Sequence, residues 1–115
     1  MEHVLQNTRA GKEIGELTES KLERIKGILN SKMDSLCTGC SYCKGCPSDI
    51  DIPKYLLAYN ESILNGDSEA CLNMLKWHWG ITKDDASKCI ECGLCEGKCT
   101  QHLPIIQRLK EISNF

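Results

Sequence analysis

The chain has little from which to build a conventional apolar core. Of its 115 residues only six are aromatic: Tyr42, Tyr55, Tyr59, Trp77, Trp79 and Phe115. A chain this short buries limited surface in any case. No apolar run approaches the roughly 18 residues that a membrane-spanning helix needs. The opening stretch, Met1-Glu2-His3-Val4-Leu5-Gln6-Asn7, lacks the apolar segment of a secretory signal. Positive charge is not in excess: 14 Lys and Arg face 16 Asp and Glu, a formal charge of −2. That argues against nucleic acid or an anionic lipid surface as the main partner. Phosphate-binding glycine loops, the H-E-x-x-H zinc pattern and the G-x-S-x-G elbow are all missing. No segment alternates with period two, so strands are not expected.

Cysteine, by contrast, is abundant. There are nine, an odd number, and no export signal accompanies them. A secreted disulfide framework therefore fits poorly, and clustered thiols in a reducing cytoplasm point to metal. Cys71 stands apart, inside an apolar helical stretch, and reads as a small core residue. The other eight fall into two runs. Cys37, Cys40, Cys43 and Cys46 are separated by two residues each, and Pro47 follows. Cys89, Cys92, Cys95 and Cys99 have spacers of two, two and three.

The spacing suits a cubane iron–sulfur cluster. Its iron atoms sit at separate corners, and each needs one terminal thiolate. A C-x-x-C-x-x-C loop delivers three sulfurs to three corners but cannot close over the fourth. In two-cluster ferredoxins the last Cys of each run ligates the other cluster. The same exchange assigns Cys37, Cys40, Cys43 and Cys99 to one [4Fe–4S] cluster, and Cys89, Cys92, Cys95 and Cys46 to a second. Binding two clusters would then be largely the folding of the domain. Zinc is the competing reading, but structural zinc sites pair two distant C-x-x-C knuckles rather than four closely spaced thiols. The C-x4-C-x2-C spacing of a plant-type [2Fe–2S] centre is absent.

Gly39, Gly45, Gly93 and Gly97 lie within the runs. They read either as ordinary turn glycines or as places where backbone N–H groups approach cluster sulfur. His3, His78 and His102 are scattered, and His102, three residues past Cys99, reads as solvent-facing. Trp77, His78 and Trp79 read as helix packing rather than an electron relay. Lys76, Lys83, Lys88, Lys98 and Lys110 read as solvated, some of them offsetting cluster charge. Two thiolate-bound clusters would take the net charge to about −6.

The expected architecture is all-α, with helices joined by cysteine loops. Thr18 is a candidate N-cap, with Leu17 and Leu22 as a hydrophobic staple. Leu22, Ile25, Leu29 and Met33 then recur at helical spacing. Pro53 suits the first turn of a second helix, with Ile52, Leu56, Tyr59 and Ile63 on one face and Gly66 at its end. Asp67 caps a third helix from about Ser68 to Trp79, burying Cys71, Met74, Leu75 and His78. Thr82 with Asp85 suggests a short helix to Ser87, and Pro104 opens a last one carrying Ile105, Ile106, Leu109 and Ile112.

The residues from Cys37 through Pro47 with Asp51-Ile52-Pro53, and Lys88 through Cys99 with Gln101-His102-Leu103-Pro104-Ile105, resemble the iron–sulfur domain at the C-terminus of certain bacterial aldo/keto reductases. The resemblance covers about residues 1–112. It implies an α-helical ferredoxin fold, similar to the helical cluster domains of succinate dehydrogenase and dihydropyrimidine dehydrogenase. It also implies electron transfer, with a redox partner protein or a covalently linked reductase domain. Residues 1–16 resemble the end of the reductase barrel, where Gln6 and Asn7 match the region that grips the NADPH adenine. Residues 17–115 would form the dicluster domain. The barrel's catalytic Asp, Tyr, Lys and His have no counterpart, so no catalytic residue is assigned and the chain alone is not expected to reduce aldehydes or ketones. One departure is Thr100, where the family has Pro; it removes no ligand. The alternative is a purely structural cluster or zinc domain without redox traffic.

Overall fold

The computed structural model describes residues 18–32 and 35–115. The expected leader 1–16, with Gln6 and Asn7, the Leu17 half of the expected staple and Met33 lie outside the described residues. The chain divides into two units, Met1–Ser31 and Lys32–Phe115.

Helix α1, Glu19–Lys32, accounts for the described part of the first unit. Thr18 stands at its start, and its carbonyl accepts from the N–H groups of Lys21 and Leu22 at 2.9 and 3.0 Å. Leu22, from the expected apolar stripe, is 37% exposed.

The regular structure of the second unit is all helical, with no strand among the described residues. Helix α2 spans Ile52–Asn65. Pro53 sits in its first turn, where a missing N–H costs nothing. Asp51 does not cap with its side chain; its carbonyl accepts from Lys54 N–H at 3.0 Å and its carboxylate pairs with Lys54 Nζ at 2.8 Å. Gly66 ends the helix in the left-handed region at φ 71°, donating its N–H to the Ser62 carbonyl at 2.8 Å.

Helix α3 spans Ser68–Asn73, and Asp67 Oδ1 accepts from Glu69 N–H at 3.0 Å. It continues as a single wide π turn, Met74–His78. Cys71 and Leu75 are buried and Met74 half-buried, as the periodicity suggests, but His78 is exposed. The wider turn rotates the helix face by a fraction of a turn at this point. Trp79 is half-buried and forms a T-shaped pair with the His78 ring, while Trp77 is 76% exposed.

The next turn, Lys83–Lys88, is a 3-10 helix rather than an α-helix. Thr82 makes no cap; its hydroxyl donates to Asp84 at 3.2 Å, and Asp85 pairs with Lys88 at 2.5 Å. A four-residue helix, α4 at Leu94–Gly97, lies within the second cysteine run. Helix α5, Ile105–Asn114, closes the chain.

The core is small. Ile52, Tyr55, Leu56 and Ala58 of α2 meet Cys71 and Leu75, then Ile105, Leu109 and Ile112 of α5. Burying each large aliphatic side chain contributes roughly 1.5–3 kcal/mol. Helix α2 packs on α3 and α5, and the 3-10 turn packs on α5. The cysteines Cys43 and Cys95 are part of this same cluster.

Candidate metal centre

All nine cysteines are free thiols. The two runs repeat the same left-handed positions, although the second has one residue more between its last two cysteines. Two residues after the first Cys of each run stands a positive φ, Gly39 at 71° and Glu91 at 56°. One residue after the second Cys stands another, Ser41 at 64° and Gly93 at 74°. Three residues after the last Cys stands a third, Asp49 at 58° and His102 at 51°. In each copy that residue donates its N–H to the carbonyl of the last Cys, at 3.0 Å for Asp49 and 3.1 Å for His102. A buried apolar residue follows, Ile50 or Leu103, and then a helix opens at Ile52 or Ile105. Burial repeats as well. Cys43 and Cys95 are buried, Cys40 and Cys92 exposed, and the other four intermediate.

The copies hold each other's approaches. Tyr55, three residues into α2, donates its hydroxyl to the Thr82 carbonyl at 2.5 Å, ahead of the second run. Arg108, three residues into α5, donates from Nη2 to the Ser35 carbonyl at 2.6 Å, ahead of the first. Asn60 of α2 fixes Cys37 twice: its Oδ1 accepts from the Cys37 N–H and its Nδ2 donates to the Cys37 carbonyl, both at 2.8 Å. Within the second run, Glu96 Oε1 accepts from the Ile106 N–H at 2.9 Å, satisfying a free donor in the first turn of α5.

Cysteines from different runs are brought together. Cys43 and Cys46, of the first run, line one recess with Cys89, Cys92 and Cys95 of the second. Gly45 and Gly93 also line it, and a Cβ added at either meets nothing within 4 Å, so their backbone stands open to whatever fills the space. On the other side, the charge of Cys99 acts on Cys37 and Cys43. Thr100, beside Cys99, has its hydroxyl 3.9 Å from Cys40 Sγ.

The thiols are electrostatically crowded. Burial pushes Cys43 up to about 11, and the neighbouring Cys37, Cys40 and Cys99 add to the shift. Burial raises Cys37 against the opposing N–H of Gly39, which lies 3.5 Å from its sulfur. Burial likewise raises Cys95. Only Cys40 is lowered, by the N–H of Tyr42 and then by the hydroxyls of Thr100 and Thr38. Buried thiolates this close need a cationic core to neutralise them, and binding such a core releases protons.

The donor set fits an iron–sulfur cluster. Soft thiolates are the ligands such a cluster takes, and N–H···S contacts of the Gly39 kind tune it. Among the described residues no group of three or more His, Cys, Asp or Glu side chains is drawn tightly enough to hold a single ion. A cubane presents its iron atoms at separate corners, so its ligands stand farther apart than those of one tetrahedral ion.

Asn60, Glu96 and Arg108 did not stand out in the sequence. For Arg108 a signal existed: Ile105, Arg108, Leu109 and Ile112 share one helical face, so a cation interrupts an apolar stripe. His102 is exposed, and Gly97 has no positive φ.

A family model described as a 4Fe-4S dicluster domain matches residues 36–104, more than half of the chain. No curated protein and no solved structure matches it.

Proposed function

Because this chain belongs to the 4Fe-4S dicluster domain family, we propose that it binds two [4Fe–4S] clusters and passes electrons one at a time between them and a partner. Cys37, Cys40, Cys43 and Cys99 hold the first cluster. Cys89, Cys92, Cys95 and Cys46 hold the second. The observation that carries this exchange is the recess in which Cys46, with Cys43 beside it, faces the three leading cysteines of the other run. The effect of Cys99 on Cys37 and Cys43 supports the reciprocal half. A cubane cluster supplies a site that gains or loses one electron with little change of shape. The chain's own contribution is to fix the loops through Asn60, Tyr55 and Arg108 and to aim N–H donors at sulfur.

The partner we propose is a reductase of the aldo/keto type, linked or separate. Residues 1–16 would be the end of its barrel, with Gln6 and Asn7 from the adenine contact, and residues 17–115 the dicluster domain. Among the described residues no helix is long and apolar enough to cross a membrane.

Anaerobic purification followed by iron and acid-labile sulfide analysis tests the reading. About eight of each per chain is expected for two cubanes. Dithionite should then produce a paramagnetic signal. Bound zinc with little sulfide would refute the clusters, and full iron without reducibility would leave only a structural staple.

A further inference from the structure

Arg108 is a buried cation without a buried anion. It is 5% exposed. Its Nη2 donates to the Ser35 carbonyl at 2.6 Å, and its guanidinium centre lies 4.9 Å from the Tyr59 ring. Its Nη1 is buried and meets no hydrogen-bond partner. Among the described residues no carboxylate forms an ion pair with it: the four ion pairs involve Glu23, Asp51, Asp85 and Glu91. Glu111, one turn further along α5, accepts instead from the Tyr59 hydroxyl and from Gln107 Nε2. A charge buried without its opposite is strongly destabilising, so an arrangement like this one points to a counter-charge that arrives from elsewhere.

The position of Arg108 says which anion. Ser35, its hydrogen-bond acceptor, leads into Cys37. In the other copy of the duplicated backbone the matching residue, three into the helix, is the neutral Tyr55. The recess around Cys46 and the second run has Lys44 and Lys98 on its walls, but both are exposed and therefore screened by water and salt. Among the described residues Arg108 is the one buried charged side chain, and it stands on the side of the first run.

We propose that Arg108 is the counter-charge of the cluster held by the first cysteine run, and that it keeps this cluster at a higher reduction potential than the second. The inference rests on the two-cluster reading above. A thiolate-bound cubane goes from −2 to −3 when it takes one electron, with no other bond made or broken. A fixed positive charge nearby favours the more negative state. Reducing equivalents would therefore collect on the first cluster. Arg108 is a positioning residue here, acting on the cluster through charge.

The test is an anaerobic potentiometric titration of the whole chain, followed by electron paramagnetic resonance, on wild type, Arg108→Met and Arg108→Lys. Cys40→Ser, which alters a ligand of the first cluster, identifies that cluster's signal. Wild type should show two midpoints. In Arg108→Met the higher should fall by at least a tenfold change in reduction equilibrium, about 59 mV for one electron, while the lower stays in place. Arg108→Lys should restore it. Selective loss of the first cluster in Arg108→Met, leaving about four iron per chain, with recovery in Arg108→Lys, also supports the assignment. Unchanged midpoints, an equal shift of both, or loss of both clusters overturns it. Iron and sulfide content of the wild type is measured first: a chain holding no clusters refutes the two-cluster reading itself, whereas a loaded chain indifferent to Arg108 refutes only the inference.

Discussion

Asn60→Ala isolates how firmly the first loop is held. The amide makes two hydrogen bonds to the backbone of Cys37, each 2.8 Å long, and touches no sulfur that binds iron. Each bond contributes about 1 kcal/mol, and truncation leaves a half-buried donor and acceptor unpaired, so the loss should reach about 2–3 kcal/mol. If these bonds break before the loop releases its cluster, release accelerates roughly 30- to 150-fold. The assay follows the visible absorbance of the loaded chain under anaerobic conditions in moderate urea, with a chelator trapping iron. Asn60 contacts only the first loop, so about half of the absorbance should bleach in a new fast phase while the rest keeps the wild-type rate. A change below threefold, or equal acceleration of both halves, would refute the reasoning.

Two other outcomes follow from the same geometry. Cys99→Ala should damage the cluster bound by Cys37, Cys40 and Cys43, and Cys46→Ala the one bound by Cys89, Cys92 and Cys95, as judged by which signal disappears in electron paramagnetic resonance; damage confined to each variant's own run would overturn the exchange. The loaded chain should lose stability as pH rises. Cys71 lies outside the proposed ligand set, and burial lifts it from 9.0 to about 11. The unfolded thiol therefore ionises first, and its contribution is complete below pH 9 and lost through pH 11. A two-unit shift is worth on the order of 3 kcal/mol, to be read as the pH dependence of the urea midpoint that disappears in Cys71→Ala.

Much of this molecule can be read from its sequence. Pro53, Gly66, Asp67 and Pro104 announce helix ends that the structure keeps, because each acts on its own stretch of backbone and needs no distant partner. The eight ligand candidates are legible for the same reason, since spacing alone puts three sulfurs on one loop. Part of what escapes is a choice among local helix forms, and part depends on contacts between segments remote in the chain. The wide turn at Met74–His78 turns His78 outward where a regular helix would bury it. Lys83–Lys88 takes the 3-10 form, with Asp85 engaged by Lys88 instead of acting as a cap. Asn60 reaches back 23 residues and Arg108 73, and no local pattern encodes such pairings.

The left-handed residues in the two runs carry one more implication. Ser41, Asp49, Glu91 and His102 each adopt a conformation that glycine accepts freely and an L side chain resists by roughly 1–2 kcal/mol. They therefore keep the loops under internal tension, released in the unfolded chain. Replacing any of them with glycine would relax the native strain while loosening the unfolded ensemble, so evolution or a designer could adjust how readily the protein gives up its inorganic cargo without altering a single sulfur.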